Sequence, residues 1–270
     1  MKIAFKKVSA TGNDFIVIDH RDSLLADERL PEFVRDACSR HTGVGADGVL
    51  LLENSLEADY RMRYINSDGG RVKMCGNGAR ALGWFARHFL LWEESGTFEA
   101  DDGLHSVYRS DGRFGVSLRV TGSPERINFS NDDVGWMLDT GVPHLVFLSN
   151  DVEKAEVIRG GRKYRYHEQF APEGTNVDFV QVNGDGVTMR TYERGVEDET
   201  LACGTGVMAA GLVAAELHDL AFPMQVQVPG GKLEIHQEAD EWVLWGEVEE
   251  IFTGEMTLGG RVGNYITKAY

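Results

Sequence analysis

Cys75-Gly76-Asn77-Gly78-Ala79-Arg80-Ala81-Leu82-Gly83-Trp84-Phe85-Ala86 and Cys203-Gly204-Thr205-Gly206-Val207-Met208-Ala209-Ala210-Gly211-Leu212-Val213-Ala214 are the stretches from which the fold can be read. Each is a Cys-Gly-x-Gly opening into an apolar run, and the second lies 128 residues after the first. Other marks recur around them in the same order. Thr11-Gly12-Asn13-Asp14 before Phe15-Ile16-Val17-Ile18 returns as Thr140-Gly141-Val142-Pro143 before His144-Leu145-Val146-Phe147, at an offset of 129. Asp47-Gly48-Val49-Leu50 aligns with Asp178-Phe179-Val180-Gln181 at 131, and Met62–Asn66 with Met189–Glu193 at 127. Four marks in one order at a nearly constant offset indicate two homologous halves joined after duplication.

The runs 77–91 and 205–218 are apolar nearly all round, which predicts two buried helices, with a third, amphipathic helix near 29–40. Tyr60–Ile65 and Val187–Tyr192 alternate as half-buried strands do. Further strand-like runs fall at 104–109, 114–120, 145–148, 177–182, 224–228, 232–236 and 242–248. Turn signals such as Ser110-Asp111-Gly112, Asn183-Gly184-Asp185-Gly186 and Pro229-Gly230-Gly231 separate them. The expected architecture is α+β, a strand-rich layer wrapped around one central apolar helix, twice. The first half spans 1–119 and the second 120–262, the two meeting near Arg119–Ser123. A last strand, about 262–268, returns residues 263–270 to the first half.

Composition narrows the function classes. At 270 residues and 42% hydrophobic content the chain can bury a core without staples. Lys plus Arg number 27 against 43 Asp plus Glu, a formal charge of −16, which argues against a nucleic-acid partner. No apolar run approaches the roughly 20 residues of a membrane span, so no membrane partner is expected. Met1–Lys7 lacks the apolar stretch of a signal peptide. Three cysteines, at 38, 75 and 203, fit the reducing cytoplasm better than a secreted disulfide framework.

Cys75 and Cys203 each stand just before a Gly-rich opening into a buried helix. The N-terminus of a helix carries unpaired N–H groups and a partial positive charge of about half a unit. It stabilises a thiolate and cradles a carboxylate. If the halves pack about an approximate two-fold axis, two thiols flank one cleft. One thiolate then takes an α-proton and the opposite thiol returns a proton from the other side, which inverts the carbon. Cys38 lacks this context and reads as a small core residue. A zinc site using His144 and Glu193 as further ligands lacks the usual closely spaced cysteine pair, and a redox dithiol lacks Cys-x-x-C. Neither glycine-rich turn has the Gly-x-Gly-x-x-Gly pattern or a Walker lysine. No metal and no cofactor are expected.

The sequence resembles the diaminopimelate epimerase family of cofactor-independent amino-acid racemases and epimerases over essentially its whole length. The resemblance rests on Gly12-Asn13-Asp14-Phe15, Asn66-Ser67-Asp68-Gly69-Gly70, Met74-Cys75-Gly76-Asn77-Gly78-Ala79-Arg80, Tyr192-Glu193-Arg194-Gly195, Glu199-Thr200-Leu201-Ala202-Cys203-Gly204-Thr205-Gly206 and Val228-Pro229-Gly230-Gly231. It implies two pseudosymmetric domains, each a barrel-like, mostly antiparallel sheet around a central helix. It implies inversion of one end of LL-2,6-diaminopimelate to the meso form, a step in lysine and cell-wall precursor biosynthesis. Cys75 and Cys203 would be the base and acid. Asn13, Asn66, Asn176, Glu193 and Arg194 would grip the substrate. Gly76, Asn77, Gly204 and Thr205 would offer main-chain donors to the α-carboxylate. His144 and Glu193 would set the protonation of the thiols. A homodimer is implied as well. Three departures from the family pattern stand out: Val142 where many members have Asn, Gly48 where some have Gln, and a longer link at Gly195–Glu199. Val142 motivates an alternative, a racemase for histidine or proline on the same scaffold; a thiol-based metal or redox module is a further one.

Overall fold

The first strand, β1 (Lys2–Ala10), turns through Thr11-Gly12 into β2 (Asn13–Asp19), its antiparallel partner. The structure, a computed structural model, describes residues 2–89, 91–130, 133–238 and 240–257. A short 3-10 turn leads into α1 (Leu30–Cys38), after which β3 (Gly48–Glu53) runs parallel to β2. Then come β4 (Tyr60–Asn66), antiparallel to β3, the two-residue β5 (Arg71–Val72), and α2 (Gly76–Arg87). β6 (Ser95–Ala100) lies parallel to β4, and β7 (Gly103–Ser110) and β8 (Arg113–Leu118) continue as a meander.

The plan then repeats. β9 (Thr121–Asn128), β10 (Val134–Asp139) and β11 (Pro143–Leu148) precede α3 (Val157–Arg165). β12 (Asn176–Asn183) is parallel to β11, and β13 (Gly186–Glu193) is antiparallel to β12. β14 (Asp198–Thr200) leads into α4 (Gly204–His218). β15 (Met224–Val228) is parallel to β13, and β16 (Gly231–Glu238) and β17 (Glu241–Gly246) close the series. β18 (Glu249–Thr257) pairs antiparallel with β1, as β9 does with β10. The described residues form two compact units, one of Lys2–Val116 with Glu247–Thr257, the other within Ser117–Gly246. The return to the first unit is made by β18; the strand expected at about 262–268 lies outside the described residues.

Strand register sharpens the repeat. Phe15 stands opposite Gly48, and His144 opposite Asn176. Gly48 therefore corresponds to Asn176 and Leu50 to Asp178, an offset of 128 in place of the 131 suggested by aligning letters. The letters mislead because Asp47 precedes its strand, whereas Asp178 lies inside one.

Alternation explains the unbroken apolar runs. Val8, Phe15, Val17, Leu50, Leu52, Tyr60 and Met62 pack with Ala79, Leu82, Phe85 and Ala86 of α2. The intervening Ile3, Phe5, Ile16, Ile18, Val49 and Leu51 pack with Leu30, Val34 and Cys38 of α1 on the other face. Strands covered by a helix on both faces have no polar side, as parallel pairs generally do not. In the second unit Leu145, Val177 and Tyr192 meet Val157 and Tyr164 of α3.

Both predicted central helices form. α2 ends at Arg87, short of the expected 91, because His88 closes the last turn with its N–H to Phe85. Among the described residues beyond it, Phe89 and Leu91 lie outside the helix and Trp92 packs into the core. β9 and β18 carry mostly exposed residues, so they show no apolar alternation to read. The α3 segment, with Gly160-Gly161 and four basic residues, is a poor helix former in isolation and is held by packing. Among the described residues no helix is long and apolar enough to cross a membrane.

Candidate active site

Each conspicuous cysteine occupies the N-cap position of its helix. Cys75 is extended (φ −146°, ψ 118°), and its Sγ accepts the Gly78 N–H at 3.5 Å as α2 begins. Cys203 is extended likewise (φ −116°, ψ 108°) at the start of α4. The first N–H groups of both helices have no partner four residues back, so Gly76, Asn77, Gly204 and Thr205 belong to the anion-seeking turn. All three cysteines are free thiols. Cys38 is buried in the α1 layer, and burial pushes its thiol up to about 12, in keeping with a core role.

In the first unit the surroundings of Cys75 are assembled from the β1–β2 turn, the end of β4 and α2. Asn13 donates from Nδ2 to Asp47 Oδ2 at 2.6 Å, and Asn77 donates to Asn13 Oδ1 at 3.4 Å. Tyr64 Oη donates to Asn66 Oδ1 at 3.2 Å. Thus Asn13 and Asn77 form one linked group, and Asn66 is held separately by a tyrosine.

Gly48 is required for that last arrangement. A Cβ there would lie 2.4 Å from Tyr64 Cε2 and 2.7 Å from the Ile65 carbonyl oxygen. The Tyr64 ring occupies the space that a side chain at position 48 would need. Gly48→Ala is expected to destabilise the protein by about 1–3 kcal/mol through overpacking. It also displaces Tyr64 from Asn66, so KM rises more than kcat falls. Thermal melts with steady-state kinetics check both. An unchanged KM would show that Tyr64 does not set the Asn66 geometry.

The second unit builds a longer chain of hydrogen bonds. Asp178 and His144 are both fully buried, with Asp178 Oδ2 2.7 Å from His144 Nδ1. Thr191 Oγ1 donates to the other Asp178 oxygen at 2.7 Å. His144 Nε2 lies 2.9 Å from Thr205 Oγ1, which lies 3.4 Å from Cys203 Sγ. An ionised carboxylate only accepts, so the His144 proton sits on Nδ1 and Nε2 accepts from Thr205. The Thr205 oxygen is then open to the Cys203 S–H. Asn176 supports this tautomer: its Oδ1 accepts the Arg194 N–H at 2.8 Å, which turns Nδ2 toward Pro143 O (3.1 Å) and His144 Nε2 (3.4 Å). Burial, then the charges of Glu193 and Asp178, push the Cys203 thiol well above its usual range; the Thr205 hydroxyl and the Gly206 N–H pull it partly back.

Glu193 Oε2 accepts from Thr200 Oγ1 at 2.9 Å, and the Arg194 guanidinium reaches the Gly174 carbonyl at 3.4 Å. Gly206 must lack a Cβ, which would approach Asp178 Oδ1 to 2.8 Å and His144 Cε1 to 3.2 Å. Sequence reasoning placed His144, Asn176, Thr205 and Cys203 in the site, and the structure brings these four together. It missed Asp178, Thr191, Tyr64 and Arg80. A charged residue amid Val177, Phe179 and Val180 was a readable signal for Asp178, and an arginine inside an apolar helix was one for Arg80. Among the described residues no three His, Cys, Asp or Glu side chains cluster as metal ligands.

The sequence model of the diaminopimelate epimerase family matches residues 5–116 and 136–251. A diaminopimelate epimerase of Aquifex aeolicus is 40% identical over 94% of this chain and 97% of its own. One of Archaeoglobus fulgidus is 37% identical over 96% and 98%. Among solved structures, a phenazine biosynthesis protein of the PhzF family from Enterococcus faecalis superposes with a TM-score of 0.74 at 15% identity, covering 96% of this chain and all of that one. A hydroxyproline epimerase from Agrobacterium vitis gives 0.68 at 13%, covering 95% and 93%; at such identities the likeness is one of fold. The match across both units, at this identity and coverage, means that the chain belongs to the diaminopimelate epimerase family.

Proposed function

We propose that this protein is an isomerase that inverts one α-carbon of LL-2,6-diaminopimelate to give the meso form, with two thiols as its acid and base. The observation that carries the reading is the pair of cysteines capping equivalent helix N-termini, Cys75 on α2 and Cys203 on α4. In the proposed step a thiolate accepts the α-proton as the C–H bond breaks. The electron pair is delocalised into the α-carboxylate, and the opposite thiol delivers its proton to the other face. Atoms balance, and the thiol and thiolate have exchanged places at the end. N–H groups at Gly76, Asn77, Gly204 and Thr205 face the carboxylate charge as it grows, which is where fixed donors lower a barrier most. Asn13, Asn66, Asn176, Glu193 and Arg194 bind the ammonium and carboxylate of the unreacted end; that task needs acceptors and donors together. His144 acts on Cys203 through Thr205, and Glu193 acts through its charge. The reading includes a cytoplasmic location, supported by three free thiols, and a homodimer, which the family resemblance implies.

The test is α-proton exchange in deuterated water. Incubation with LL- and meso-diaminopimelate should replace one α-hydrogen by deuterium and interconvert the two isomers without added pyridoxal phosphate or metal. Val142 favours a second reading, a racemase for another amino acid. Faster exchange from histidine or proline than from diaminopimelate would establish that reading and overturn the first.

A further inference from the structure

The two helix openings share a backbone plan but differ in charge. Arg80 is fully buried on α2, and its counterpart 128 residues on, Met208, is fully buried on α4. Phe15 and Leu50 stand in the first unit where His144 and Asp178 stand in the second. A Cβ on Gly78 would meet Leu50, Cys75 and Phe15, whereas one on Gly206 would meet Asp178 and His144. The turn that carries the first thiol thus packs on apolar side chains beside a buried cation, and the turn that carries the second packs on a histidine and an aspartate.

Arg80 is bound in an unusual way. Nη2 donates to Thr11 Oγ1 at 3.1 Å and to Asn77 Oδ1 at 2.9 Å, and Nη1 reaches the Gly76 carbonyl at 3.5 Å. Every one of these acceptors is neutral. Nε finds no partner among the described residues. A buried guanidinium is ordinarily matched to a carboxylate. The acids of the neighbouring β1–β2 and β3 segments are already engaged: Asp14 with Lys7 (2.6 Å) and Arg40 (3.5 Å), Asp47 with Arg40 (2.8 Å). Burial brings the Arg80 guanidinium down to about 10, and charge on Cys75 acts in the opposite direction. Met208 shows that an unbranched apolar side chain suffices to pack a helix of this type at this position. Packing of the helix therefore does not by itself require a cation here.

We propose that Arg80 is a positioning residue: it ties the Cys75–Asn77 turn to Thr11 and supplies the counter-charge that keeps Cys75 as the thiolate, leaving Cys203 as the protonated partner in the resting protein. The inference rests on the two-thiol reading and adds an order to it. Cys75 then removes the proton from whichever isomer presents its α-hydrogen to the first unit.

Peptide-resolved alkylation by iodoacetamide between pH 5 and 10 tests this on the full chain. Cys75 should react with a lower pH midpoint than Cys203. Arg80→Met, which copies the sister helix, should raise the Cys75 midpoint by about one unit or more, leave that of Cys203 in place and lower kcat at least tenfold. Arg80→Lys should restore most of both. An unmoved Cys75 midpoint in a folded Arg80→Met protein overturns the proposal. If that variant melts early, Arg80→Gln and Arg80→Lys carry the comparison, and equal midpoints for a charged and an uncharged residue overturn it equally. Full turnover in Cys75→Ala would remove the two-thiol reading itself. An inactive Cys75→Ala beside an unmoved profile in Arg80→Met would remove only the role of Arg80.

Discussion

Cys75→Ala and Cys203→Ala are each expected to drop epimerisation by about 10⁴-fold or to background, the upper range for loss of one acid or base group. Inversion needs a group on each face of the carbon, so neither thiol can cover for the other. The folded state should hardly notice. Cys75 is only half-buried at a helix cap, and Cys203 loses one sulfur atom beside the Thr205 hydroxyl. Melting temperatures within a few degrees of the parent would separate lost chemistry from lost structure. Deuterium incorporation and isomer interconversion, measured side by side, read the chemistry. If both variants kept most of their turnover, thiol acid–base catalysis would be the wrong mechanism.

Thr205→Val is expected to have the next largest effect, a fall of about 10²-fold in kcat/KM, because it removes the hydroxyl that links Cys203 to His144 while keeping the volume. That hydroxyl is one of the groups pulling the Cys203 thiol back down. Without it the thiolate forms only at higher pH, so the alkaline limb of the pH–rate profile moves upward. Thr205→Ser should restore the limb. Asp178→Asn should lower activity in the same assay, since an amide can hold Nδ1 in the wrong tautomer. A Thr205→Val profile that superposes on the parent would show that His144 does not act through this path. The raised thiols also shape stability. A cysteine whose folded pKa lies above the unfolded value of about 8.5 stabilises the fold below that pH. The contribution is lost as pH climbs through the folded value, about 12 for Cys38. Alkaline melts should therefore fall from roughly pH 8.5 upward.

Much of this site was legible as letters. The duplicated Cys-Gly-x-Gly placed both thiols at helix openings, because glycine density before an apolar run marks a helix start pressed close to other backbone. The runs at Phe15–Ile18 and Val49–Leu52 were legible only as marks of the repeat; that both are strands covered on both faces came from the packing. Edge strands β9 and β18 were illegible, since an exposed strand carries no apolar alternation. The role of Asp178 was hidden by a misaligned repeat: strings matched Asp47 to Asp178, whereas strand register matches Leu50 to it. Hydrogen-bond register is a property of paired backbones, and letters do not carry it.

The chain's own order of residues determined the duplication, the two buried helices, the cysteine caps and the family, because each is written in local periodicity and spacing. Tertiary structure alone decided which neighbours each thiol has. Phe15 and Leu50, or His144 and Asp178, come to the helix opening through strand pairing between segments tens of residues apart. The energy of a charge depends on what surrounds it in space, so the difference between the two halves emerges only once they are folded.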